Sequence, residues 1–161
     1  MPVRGALVRP YLYAMRTGEA ILTIAGVTAV YFYTLKQAAG RLTFFPGNIL
    51  SMGFDGPAPV MTLEITVQNT SNATLSLYSM AGNVYANGYL IGNVSSFRQM
   101  AIPGNSQRSI IVDIRFMLLG IVNDIITAFS TKNFSQAFSI EGTVNADGIA
   151  VPIKLDYKIG D

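Results

Sequence analysis

The side chains available for chemistry are few. The chain contains no histidine and no cysteine, so the commonest general base, the commonest metal ligand and every thiolate site are missing. Ser-His-Asp and Cys-His catalysis cannot be assembled from this chain alone, and no disulfide can form. What remains is carboxylate chemistry. Glu64 and Asp113 sit in alternating segments at positions opposite the apolar residues, Asp124 falls on the polar face of a helical pattern, and Asp147 precedes Gly148 in a turn signal. Each is where a solvated or turn-forming carboxylate is normally found, and the four lie on separate elements. No phosphate-binding glycine loop, calcium-loop spacing or nucleophile elbow is present. The chain is expected to be non-catalytic, with no cofactor and no metal.

The elements that would position these residues divide into two kinds. Sixteen residues without a charge run from Ala20 to Leu35, between Arg16/Glu19 and Lys36. A helix of that length covers about 24 Å, somewhat short of the roughly 30 Å hydrocarbon core. Arg16 and Lys36 narrow the deficit if they reach toward the headgroups. Tyr11 and Tyr13 flank one end, and Tyr31, Phe32 and Tyr33 the other, as an interfacial aromatic belt requires. The stretch is apolar on every side apart from Thr23, Thr28 and Thr34, which suits lipid on all faces. The soluble-helix reading would need a large core that a chain of 161 residues does not offer. "KQAAG" makes a poor cleavage site with its lysine, which argues against a removed signal peptide.

The segment therefore reads as a single-pass anchor over residues 18–36. Ala20, Ile21, Leu22, Ile24, Val27, Val30, Tyr31, Phe32, Tyr33 and Leu35 would meet lipid, with Arg9, Arg16 and Lys36 flanking them. Arg4, Arg9 and Arg16 precede it while Lys36 and Arg41 follow. This asymmetry modestly favours a cytoplasmic N-terminus, residues 1–17, and an exported C-terminal domain. Ala25 and Ala29 have the small-residue spacing of a helix-packing seam.

After a connector over residues 37–48, the period changes to two. In "MTLEITVQN", Leu63, Ile65 and Val67 share one face and Thr62, Glu64, Thr66 and Gln68 the other. "QNTSNAT" supplies a turn, and Asn87-Gly88 suits a type I′ hairpin. "RSIIVDIRF" alternates Ile110, Val112, Ile114 and Phe116 against Ile111, Asp113 and Arg115. "FMLLGIVNDIITAFS" has helical spacing at Leu118, Ile121, Val122, Ile125 and Phe129. "AFSIEGTVNA" and "GIAVPIKLDYKI" form a last pair of strands, with Pro152 pointing to an edge. The pattern predicts, over residues 49–161, an antiparallel β-sandwich with one short helix packed on an end.

Taken in order, "LEITVQNTSN", "YANGYLIG", "IPGNSQRSIIVDIRF", the helical segment and "FSIEGTVNADGIAVPIKLDYK", including Gly142, resemble the late embryogenesis abundant group 2 family over residues 49–158. That family includes the water stress and hypersensitive response domain. Where its usual turn is Asn-Pro-Asn, this chain has Asn69-Thr70-Ser71-Asn72. The resemblance implies a fibronectin-III or immunoglobulin-like sandwich with a short helix, often behind a membrane anchor, with a non-catalytic role at membranes or in binding other molecules.

The partners expected are membrane lipid and other protein subunits, copies of the chain among them. Acids slightly outnumber bases after residue 42, so nucleic acid is not expected on the sandwich. Tyr78, Met80, Tyr85, Tyr89 and Met100 form a candidate contact surface if they face outward. Four Asn-x-Ser/Thr sequons occur, at Asn69, Asn72, Asn93 and Asn133. A binding or scaffolding module is the leading expectation. A structural subunit of a membrane-containing virion or envelope and a carrier of lipid or another apolar ligand are the alternatives.

Overall fold

A computed structural model describes residues 27–95, 98–117 and 137–157. The chain divides into two compact units, Met1–Thr34 and Leu35–Asp161. Helix α1 covers residues 27–39. Its first part belongs to the first unit, where Thr34 donates its hydroxyl to the Val30 carbonyl at 2.8 Å. Val27, Val30, Tyr31, Phe32 and Tyr33 are all 58–66% exposed. Residues 18–26 of the expected anchor, with Ala20, Ile21, Leu22 and Ile24, and the flanking Arg9 and Arg16, lie outside the described residues.

The second unit begins on the helix. Leu35, Ala38 and Ala39, at the i, i+3 and i+4 spacing of one apolar helical stripe, are buried in its core, as is Leu42 just beyond the helix. Leu35, expected among the lipid-facing residues, is thus a core residue of the β body. The helix closes with Gly40 N–H to Lys36 O and Arg41 N–H to Ala38 O, both 3.0 Å. The shorter three-residue step tightens its last turn.

Eight strands follow: β1 (Leu42–Asp55), β2 (Ala58–Asn69), β3 (Leu75–Ala86), β4 (Tyr89–Ser95), β5 (Met100–Ile102), β6 (Ser106–Phe116), β7 (Phe138–Ala146) and β8 (Ile149–Tyr157). They form one sheet in the order β1-β2-β6-β4-β3-β7-β8, with β5 on β3, and the pairings are antiparallel. The protein is mainly β, as the alternation predicts. The segment 118–136, which contains most of the predicted amphipathic helix, lies outside the described residues.

Strand β2 alternates along its whole length. Met61, Leu63, Ile65 and Val67 are sealed from solvent while Thr62, Glu64, Thr66 and Gln68 are half-buried. Strand β6 matches it with Ile110, Val112, Ile114 and Phe116 inside and Ile111, Asp113 and Arg115 outside. Strand β1 starts at Leu42, within the stretch expected to be connector. Its alternation is broken by register shifts between Pro46 and Ile49 and between Ile49 and Ser51, so the sequence shows no regular period there.

Three hairpins join neighbours through two-residue turns. Asn87 and Gly88 have φ of 51° and 79°, and Asp147 and Gly148 have 49° and 83°, the positive pair that a type I′ turn needs. The Asp147 carboxylate also accepts the Ser76 N–H at 2.9 Å. Strand β8 ends the order, the edge position that Pro152 favours.

The sheet curls. Gly82 and Gly142 face each other across β3 and β7, so close that a Cβ on Gly142 would stand 2.3 Å from the Ala81 carbonyl oxygen and 2.6 Å from the Gly82 Cα. Gly92 does the same between β4 and β6, 2.7 Å from the Arg115 carbonyl oxygen. Glycine at these positions lets neighbouring backbones close up where the sheet bends. The bend brings the two ends of the strand order together. Tyr157 of β8 donates its hydroxyl to the Glu64 carbonyl of β2 at 3.3 Å, and the Gly47 N–H of β1 bonds to the same phenol. Its ring stacks on Phe138 at 4.9 Å and 3°.

Candidate functional site

The carboxylates are spread over the body and occupied individually. Glu64 takes hydrogen bonds from Ser109 and from Asn48 (3.0 Å), which hold its carboxyl below the usual range. Asp113 accepts the Thr62 hydroxyl at 2.8 Å. Asp55 pairs with Arg115. Glu141 pairs with Lys154 at 2.7 Å, and the bond raises the lysine pKa. Among the described residues, no three His, Cys, Asp or Glu gather where a metal could be held. Asp124 lies outside the described residues.

An open groove of about 570 Å³ runs beside the β3–β4 turn, lined by Tyr85, Asn87, Phe138, Ser139, Glu141 and Lys154 among others. Its wall mixes apolar surface with the ionised side chains of Glu141, Lys154 and Asp156. An apolar ligand there would strip water from Glu141 and Lys154 without replacing it.

The polar turn after β2 is a structural plug. Asn69 is fully buried, and its amide donates to the carbonyls of Ala73 (2.7 Å), Ile102 (3.1 Å) and Pro103 (3.1 Å). Its oxygen accepts the Ser71 N–H and hydroxyl at 3.0 and 2.7 Å. Asn105 joins the plug through Ser71 O and Asn72 Oδ1, both at 2.8 Å. The Asn69 amide is therefore enclosed and cannot serve as a glycosylation acceptor. Asn72 and Asn93 are exposed, and Asn133 lies outside the described residues.

The expected contact surface is only partly assembled. Tyr78 is exposed and Tyr89 is 75% exposed, while Tyr85 and Met100 are half-buried. Met80 is 2% exposed and belongs to the core. The register of β3 on β7 slips between Leu77 and Ser79. That bulge shifts the parity, so Met80 follows Leu75 and Leu77 inward and leaves both Tyr78 and Ser79 outside.

Other exposed apolar residues were not singled out from the sequence: Phe45, Leu50 and Phe54 on β1, and Leu90 on β4. The bulged period of β1 concealed the first three. Among the described residues, exposed apolar side chains are most concentrated in α1, where Tyr31 and Phe32 meet edge to face with centroids 6.2 Å apart. No helix among the described residues is long and apolar enough to cross a membrane.

No family model matches the chain, and no curated protein matches it. Among solved structures it is similar to a protein from Archaeoglobus fulgidus, with a TM-score of 0.42 and 8% identity over 74% of this chain and 96% of that one. It is also similar to a FixG-related protein from Vibrio parahaemolyticus, with a TM-score of 0.38 and 7% identity over 74% of this chain and 94% of that one. Likeness at this level carries no function.

Proposed function

We propose that the protein is a non-catalytic module anchored in a membrane by its N-terminal helix, presenting a β-sandwich of the late embryogenesis abundant group 2 type for binding or scaffolding. In this reading β1, β2 and β6 form one layer, β3, β7 and β8 the other, and β4 spans the bend between them.

One observation carries the proposal. The chain turns from an all-exposed apolar helix into a sealed core within a single turn. Val27, Val30, Tyr31, Phe32 and Tyr33 stand open, whereas Leu35, Ala38 and Ala39 are buried. Water is a poor solvent for five such neighbouring side chains, and hydrocarbon with an interfacial aromatic belt is a good one. The uncharged sequence Ala20–Gly26 extends the same character toward the N-terminus. Supporting the non-catalytic part, each described acid other than Asp156 has a specific hydrogen-bond or ion-pair partner of its own.

Extraction tests the anchor. Detergent is expected to release the protein from membranes, and high salt or alkaline carbonate to leave it there. Release by salt or carbonate alone would reject a spanning helix.

A further inference from the structure

The β body is electrically polarised along its strands. At the end where the chain enters at Leu35 lie Leu42, Asn69 and Ser106, which share one register row. The cations at this end are Lys36 and Arg41, which bracket the helix terminus, and Arg108, two residues into β6 beside Val67. All three are exposed. Ion pairs among the described residues are Arg115–Asp55 and Lys154–Glu141, and neither involves these three. The acid at the same end is Asp147, whose carboxylate is turned onto the Ser76 amide.

The opposite half has the reverse balance. Asp55, Asp113, Glu141 and Asp156 outnumber Arg115 and Lys154, and both of those cations are paired. Glu64 and Arg98 lie between the two ends. The remaining surface around Arg41 is neutral and hydrogen-bonding: Thr43, Thr70, Asn72, Thr74 and Gln107.

We propose that this end of the body is a docking surface for anionic lipid headgroups, held by Lys36, Arg41 and Arg108. The proposal rests on the anchored reading, because the anchor delivers this end to the bilayer surface by chain continuity. Exposed cations within a Debye length of a leaflet that carries anionic lipid are attracted to it, and an acidic far half is turned away. Docking there would fix the orientation of the body on the membrane and leave the groove and Tyr89 directed outward. It also gives Lys36 and Arg41 a role, although their presence after the anchor weakens the charge asymmetry that sets topology.

The chain lacks cysteine, so single labels are readily placed. Full-length protein carrying a fluorophore on Thr74→Cys, near the cationic end, or on Tyr89→Cys, at the far end, is reconstituted into vesicles containing headgroup-nitroxide lipid. Quenching at residue 74 is expected to be at least about twofold greater with anionic phosphatidylglycerol than with phosphatidylcholine alone. The gain should vanish at about 1 M salt and in the triple variant Lys36→Gln, Arg41→Gln, Arg108→Gln. The charge-retaining triple Lys36→Arg, Arg41→Lys, Arg108→Lys should keep it, and the label at 89 should not respond. Equal quenching in both lipids, or an unaltered response in the glutamine triple, would overturn the docking surface while leaving the anchor intact. Failure of the protein to float with either vesicle would overturn the anchor and the docking surface together.

Discussion

The Tyr157 hydroxyl and the Glu64 carbonyl lie 3.3 Å apart, joining the last strand to the second. With the Gly47 amide on the same oxygen, this phenol latches the two ends of the curled sheet. Tyr157→Phe keeps the ring stacked on Phe138 and removes only the latch. A loss of about 0.5–1.5 kcal/mol is expected, read as a lower urea midpoint at unchanged slope.

The same phenol predicts an alkaline limit. Burial pushes its pKa up to about 12 from the ordinary 10. Between those values the unfolded chain has released the proton and the folded chain still holds it, so stability falls as pH rises. The contribution is complete below pH 10 and lost by about pH 12. Urea titrations over that window should show a smaller decline for Tyr157→Phe than for the unaltered protein.

Glycine at 142 is required by distance. A Cβ there meets the Ala81 carbonyl at 2.3 Å, whereas one at Gly53 meets nothing within 4 Å. Gly142→Ala should cost about 1–3 kcal/mol, and Gly53→Ala should be neutral or slightly stabilising. Thermal melts of the two variants check the contrast.

Asn69 donates to three carbonyls, and its bond to the Ile102 carbonyl is buried. Asn69→Ala leaves the Ile102 carbonyl without this donor and should cost at least about 2 kcal/mol. Asn69→Asp should be worse, because a carboxylate would confront carbonyl oxygens where the amide donates. Chemical denaturation distinguishes the two.

Parity along β3 gives another pair. Met80→Ala should cost about 2–4 kcal/mol, and Tyr78→Ser less than about 0.5 kcal/mol. Reversal of that order would remove the bulge between Leu77 and Ser79.

The legible parts of this fold are those where a strand has one wet and one dry face throughout. Leu63, Ile65 and Val67 announce β2, and Ile110 to Phe116 announce β6, because nothing interrupts their pleat. Local turn chemistry was equally visible at Asn87-Gly88. Bulges defeated the reading elsewhere: one turned Met80 inward, and two hid the first half of β1 in an expected connector. Leu35 misled for another reason. Its apolar character suits lipid and core alike, and only its spacing to Ala38 and Ala39 distinguishes them. The role of Asn69 was beyond local reasoning, since its partners at Ile102 and Pro103 lie 33 and 34 residues away.

The central claim is that the segment before Leu35 holds an independently folded β body to lipid. Flotation after a carbonate wash tests it, comparing the full chain with a version that lacks residues 1–34. The full chain should rise with the vesicles, and the shortened one should stay at the bottom as a folded, β-rich monomer or oligomer. A shortened chain that still floats, or that loses its β structure, would contradict the account.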